Sequence, residues 1–238
     1  MKFPAAKTLI KQRLRGIVLI LGLIFTYLGI TFFSGYFSKA PNSSEDDAFR
    51  QFTLSFFQEE AASNALNLHF TLQNPSDYGI LDIPDSFGTY SSDAIGAKAA
   101  IENCETALET FSYTALSDSN KLTYDILADY LNTSKRGSDF LLYDEPLNAT
   151  TGIQAQLPVL LAEYRLADEA DVQAYLTLLK DMPRYFESLI LLEQEKAEKG
   201  LFMADAVADT VLKQCRSLLA MDKNHYMYST FEERIRSI

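Results

Sequence analysis

Asp168-Glu-Ala-Asp-Val-Gln-Ala-Tyr-Leu-Thr-Leu-Leu-Lys-Asp-Met-Pro-Arg-Tyr-Phe-Glu-Ser-Leu-Ile-Leu-Leu-Glu-Gln-Glu-Lys-Ala-Glu-Lys-Gly200 decides the fold class. Its apolar residues recur every three or four positions, the period of a helix with one face inward. Asp168 heads a helix with Val172, Tyr175, Leu176 and Leu179 inward. Pro183 suits the first turn of a second helix, which carries Tyr185, Phe186, Leu189, Ile190, Leu192 and Glu193 and stops before Gly200. Glu193, Glu195, Lys196 and Lys199 stand in i,i+3 and i,i+4 relations, which read as a solvated helix face.

The same period extends in both directions. Upstream, Ser44 can cap a helix whose Phe49, Phe52, Phe56 and Phe57 share a stripe, with Glu45, Asp46 and Asp47 where the first-turn dipole favours anions. Turn chemistry at Asn74–Gly79 and Ile83–Gly88 marks an irregular connection. Helices follow over 92–111 and about 119–133, the latter using Leu122, Ile126, Leu127 and Tyr130. Ser138-Asp-Phe-Leu-Leu-Tyr143 ends in Asp-Glu-Pro146 and reads as extended, because Pro146 biases Glu145 away from the α region. Downstream, Asp205 starts a helix through Val207, Val211, Leu212, Cys215 and Leu219, and Ser229-Thr-Phe-Glu232 resembles a capping box. The expected class is all-α: a multi-helix soluble body over 48–238 with room for one short β-hairpin near 138–147. A helix capped so near Ile238 leads us to expect an incomplete domain.

The amino-terminal end differs in charge. Six of the 21 basic residues and none of the 32 acidic ones lie in the first 39 positions. Gly16–Phe33 is uncharged and mostly apolar, about 27 Å as a helix, enough to cross a hydrocarbon core. Residues 1–15 are expected to be a basic cytoplasmic end, 16–37 a single transmembrane signal-anchor in contact with the lipid bilayer, and 38–47 a linker. By the positive-inside rule the body then lies outside, at the cell surface or in the periplasm. A signal peptide cleaved after Ser38-Lys39-Ala40 is the competing reading; the length of the apolar stretch and Pro41 beside the cut favour the anchor.

Composition excludes several functions. The net charge of −11 makes sequence-independent binding to nucleic-acid phosphates an unexpected role. Cys104 and Cys215 cannot form a disulfide scaffold, and an external bridge between them does not follow from their spacing. His69 is followed by Phe-Thr-Leu-Gln and His225 by Tyr-Met-Tyr-Ser, so neither begins His-Glu-x-x-His. A nucleophile elbow and a glycine-rich phosphate loop are also absent from the sequence. His69, among Leu66, Leu68, Phe70 and Leu72, reads as a packed histidine, and His225 as part of a polar and aromatic connection. No catalytic, cofactor-binding or metal-binding residue is assigned.

Five fragments in order carry a resemblance. They are Leu68-His-Phe-Thr-Leu with Pro75-Ser-Asp-Tyr-Gly79; Leu122-Thr-Tyr-Asp-Ile-Leu127; Glu145-Pro-Leu with Gly152-Ile-Gln-Ala-Gln-Leu-Pro158; Asp171-Val-Gln-Ala-Tyr-Leu176 with Leu178-Leu179; and Lys199-Gly-Leu-Phe-Met203. Together they resemble the N-terminal half of the bacterial family catalogued as domain of unknown function 885. The resemblance implies a helical, gluzincin-like zinc metallopeptidase whose His-Glu-x-x-His lies in a C-terminal half. That motif is missing here, so the resemblance implies no cofactor within this chain and an N-terminal portion inactive alone. It also implies one wall of a substrate cleft, with Gly152–Pro158 and Lys199–Met203 as candidate lining. Two alternatives stand beside it: an anchored, non-enzymatic helical interaction module, and one half of a split hydrolase completed by a separate C-terminal half, which would then act on peptides.

Overall fold

The computed structural model describes residues 44–236 and 238. Among these residues eight α-helices follow one another: α1 Ser44–Ala61, α2 Ala65–Thr71, α3 Ala94–Glu109, α4 Asp118–Gly137, α5 Ile153–Ala162, α6 Glu169–Glu198, α7 Asp205–Leu219 and α8 Tyr226–Ile235. Short 3₁₀ turns separate several of them, and there is no strand among the described residues. The described residues fall into two compact units, 44–50 with 107–129 and 51–106 with 130–236 and 238.

The first unit is organised by a fully buried phenylalanine and a buried acid. Phe49 is 0% exposed and packs edge-on against Phe111, with ring centroids 5.3 Å apart, and stacks on Tyr124. Leu108, Leu116 and Leu127 of the same unit are also buried. The Asp46 carboxylate accepts the Ser117 N–H at 2.8 Å and the Asn120 side-chain amide at 2.9 Å. Burial alone would raise its pKa, but these donors outweigh burial and hold it below the usual carboxylate range. An acid expected only to complement a helix dipole thus also fixes the connection that precedes α4.

In the second unit α6 is the central element, and its inward stripe of Tyr175, Leu178, Tyr185, Leu189 and Leu192 is buried. Leu157, Leu161 and Tyr164 from α5 and its end pack into the same core, as does Phe87. Helices α7 and α8 both contact α5. A smaller cluster joins Ala61, Leu68 and Ile80.

The irregular connection between α2 and α3 is laid along α6 by side chains. The Phe87 N–H donates to Asp181 Oδ2 at 2.8 Å and the Tyr90 N–H to Ser188 Oγ at 3.0 Å, while the Ser92 hydroxyl reaches the Glu195 carboxylate. Positions 181, 188 and 195 are seven apart, about two helical turns, so one face of α6 satisfies an extended backbone that has no strand partner. Hydrogen-bonding to Arg184 holds the Asp181 carboxyl below its ordinary range.

Five expectations are corrected. No helix among the described residues is long and apolar enough to cross a membrane, which overturns the single-pass architecture and the outside location inferred from it. The longest helix, the 30-residue α6, carries charges along its length. The segments expected as basic end and anchor, 1–15 and 16–37, lie outside the described residues. Ser138–Tyr143 is not half of a hairpin; it continues from α4 as a 3₁₀ turn and becomes extended only at Asp144.

Pro183 does not separate two helices, because α6 runs through it with Tyr175 and Leu178 on one side and Tyr185 and Leu189 on the other buried in neighbouring parts of the same face. Burial on both sides outweighs the single hydrogen bond that the missing proline N–H removes. The last helix begins at Tyr226 rather than after Ser229, with His225 as its N-cap.

Candidate functional site

Each residue type able to do chemistry has an identifiable place. His69 lies in α2, its imidazole stacked on Tyr164 at 3.6 Å between ring centroids and 12° from parallel. Its Nε2 accepts the Arg165 N–H at 2.9 Å, so that nitrogen is unprotonated and the packed reading of His69 holds. It lines a shallow surface depression with Phe70, Gln73, Glu163 and Arg165. Burial, then the charges of Arg165 and Arg234 against the opposing pull of Asp171, lowers its pKa to about 4.

The sign of the linkage follows. An unfolded histidine takes up a proton near pH 6.5 and the folded one does not, so its contribution to stability is present above pH 6.5 and lost as pH falls towards 4. Proton NMR of His69 is expected to show a midpoint at about pH 4, well below that of an exposed histidine. A midpoint near 6.5 would show the imidazole to be solvated.

His225 is buried and caps α8 by accepting the Met227 N–H on Nδ1 at 3.1 Å. Cys104 and Cys215 are free thiols, each half-buried, and burial together with Glu59 and Glu60 pushes the Cys104 thiol up. No group of three His, Cys, Asp or Glu that could hold a metal occurs among the described residues. Both histidines spend a ring nitrogen on a backbone N–H, and the zinc implied by the family resemblance does not fit this donor set.

The Gly152–Pro158 segment is built as a structural staple. Asn148 Oδ1 accepts from the N–H groups of Thr150 and Thr151 at 3.0 and 2.7 Å. Buried Gln154 donates from Nε2 to Asn148 O at 2.6 Å and to Gln214 Oε1 at 2.8 Å, while Gln214 donates to Ala149 O. These bonds tie the loop to α5 and α7. At the other candidate lining segment, Gly200 adopts φ 70° and the Leu201 N–H returns to Lys196 O at 2.8 Å, a helix stop that leaves Phe202 exposed.

The most unusual environment belongs to residues the sequence placed on a solvated face. Lys196 is 1% exposed and Glu193 7%. The Lys196 ammonium donates to Asp144 O at 2.5 Å and lies 3.5 Å from Glu193 Oε1. Both Glu193 carboxyl oxygens are buried without a hydrogen bond. Burial raises the Glu193 pKa; Lys196 opposes that rise, and Glu145 and Asp144 add to it. Close by in charge terms is Tyr90, whose hydroxyl pairs with that of Tyr185 at 3.0 Å. A signal was available: Leu189, Leu192, Glu193 and Lys196 continue one stripe at spacings of three and four. By contrast, Lys199 and Glu195, 2.8 Å apart, behave as the expected surface pair.

A family model described as "Bacterial protein of unknown function (DUF885)" matches residues 76–236. Neither a curated protein nor a solved structure matches the chain.

Proposed function

The chain belongs to the DUF885 family of bacterial proteins, and we propose on that premise that its helical body is the non-catalytic part of a zinc-peptidase-like hydrolase. In this reading it is a scaffold that forms one wall of a peptide cleft, and the metal with its ligands comes from residues other than 44–238. One observation carries it: the family match spans α3 to α8, yet no three metal-binding side chains converge among the described residues. What those residues do provide is rigidity. The Asn148–Gln154–Gln214 staple and the clasp of α6 on the 87–92 connection satisfy backbone polar groups of irregular segments, as a fixed cleft wall requires.

The test is direct. Purified full-length chain, loaded with zinc and dialysed, is expected to retain less than one tenth of an equivalent by elemental analysis and to cleave no peptide in a mixed-sequence library. Stoichiometric zinc or metal-dependent cleavage would overturn the scaffold reading. A segment with His-Glu-x-x-His, in the same polypeptide or in another, completes the site in this reading, and peptide is the substrate class of the completed site.

A further inference from the structure

The buried pair on α6 joins two parts of the second unit that are far apart in sequence. The Lys196 side chain donates to the Asp144 carbonyl, where the chain leaves the 3₁₀ turn and starts towards Pro146 and the stapled loop. Asp144 has φ −63° and ψ 142°, so its carbonyl is the first after the turn outside helical geometry. Among the described residues the same ammonium is the cation that pairs with Glu193. A lysine ammonium is a compact charge with three donors, and here it faces two competing acceptors, a neutral carbonyl at 2.5 Å and a carboxyl oxygen at 3.5 Å.

We propose that Glu193 and Lys196 form a proton-operated latch on residues 144–147, between the 3₁₀ turn and the stapled loop. With a proton on Glu193, Lys196 is committed to Asp144 O and residues 144–147 are held against α6. Loss of that proton creates a carboxylate with no hydrogen-bond donor of its own, which draws the ammonium off the carbonyl and frees 144–147, while the staple that begins at Asn148 stays closed. The groups facing Glu193 are Lys196 on its own helix, Asp144 and Glu145 on the approaching segment, and the Tyr90 phenol on the connection laid along α6. Three of these four are acidic groups. A negative Glu193 therefore depends on Lys196 alone, and the latch opens with rising pH.

The direction of the linkage is fixed by this arrangement. The closed state binds the Glu193 proton more tightly than the open one, so opening becomes easier as pH rises above the ordinary glutamate range and levels off beyond the closed-state pKa. Between those limits the opening constant rises by up to about tenfold per pH unit.

Amide hydrogen exchange on the full-length chain between pH 4 and 9, corrected for intrinsic exchange, tests the latch. Protection of the Asp144, Glu145 and Leu147 amides is expected to fall with rising pH, while that of α7 changes by less than threefold. In Glu193→Gln, which cannot ionise, protection of these three amides is expected to be flat with pH. Equal pH dependence in the wild type and the variant would overturn the proposal. Should Glu193→Gln fail to fold, the carboxyl carbon of Glu193 in the wild type, followed by NMR, gives the answer. A midpoint above the ordinary glutamate value of 4.5 is expected, and one at or below it would equally sink the latch. Neither readout involves zinc or peptide cleavage, so failure here leaves the scaffold reading standing, and failure of that reading leaves the latch intact.

Discussion

Lys196→Ala is expected to destabilise the protein by about 3 to 5 kcal/mol at pH 7. The size comes from what the substitution leaves behind more than from the contact it removes. Lys196 is 1% exposed, so its four-carbon stem fills core space and its deletion opens a cavity. The Asp144 carbonyl loses its donor, and Glu193 keeps a carboxyl at 7% exposure with no cation beside it. Glu193 then has one escape, which is to take up a proton. Its folded-state pKa already lies above the ordinary value, and removing the opposing Lys196 raises it further.

The cost should therefore shrink as pH falls, because protonating Glu193 removes the uncompensated charge. Urea denaturation of wild type and variant at pH 7 and pH 5 measures both figures. A double variant, Glu193→Leu with Lys196→Met, separates charge from volume. It refills the space without either ion and is expected to lie within about 2 kcal/mol of the wild type, well above the single variant. If Lys196→Ala costs under 1 kcal/mol at pH 7, the ammonium is solvated and the buried pair does not exist in solution.

The same pair marks where sequence reading stops. Helix α7 begins at Asp205, the residue read as its start, and α1 begins at Ser44, the residue read as its cap, because the determinants there are local. The all-helical class is legible for the same reason, since the 3.6-residue period needs no knowledge of partners. Glu193 and Lys196 fail that test. Their i,i+3 spacing is identical on a solvated and a buried face, and only the 138–146 segment, some fifty residues earlier, decides which it is. Pro183 fails for a related reason: its local penalty is readable, but the burial of Tyr185 and Leu189 that outweighs it is not.

His225 is a third case. Its neighbours read as a connection, whereas its ring serves as a cap, a role less common for histidine than for Ser, Asp or Asn. The family fragments were legible as pattern, and what their residues do was not. Gly152 and Gln154 belong to a packed staple rather than to a set of groups aimed at a reactant.

Gly152→Ala is the second large effect, and its cause is space. With φ −63° and ψ 153°, Gly152 has a backbone conformation open to any residue, so conformational freedom is no reason for a glycine here. A Cβ, however, would stand 2.1 Å from Gln154 Oε1, 2.5 Å from Asn148 N and 2.7 Å from Asn148 O. Two of those three atoms are backbone and cannot swing aside. The third belongs to a side chain whose Nε2 is held by Asn148 O and Gln214 Oε1, so relieving the clash breaks the staple between the loop, α5 and α7. A cost of about 3 kcal/mol is expected, the upper part of the range for overpacking. It should be accompanied by faster amide exchange over 145–153.

Gly137→Ala is the matched control. A Cβ there meets nothing within 4 Å and the backbone is helical at φ −64°, ψ −29°, so the substitution is expected to be neutral or to stabilise by up to about 1 kcal/mol. If Gly152→Ala instead falls within about 0.5 kcal/mol of the wild type, packing does not explain the glycine. The segment then yields readily, which a rigid cleft wall cannot do, and the scaffold reading would lose its structural support at the one motif where resemblance and geometry coincide.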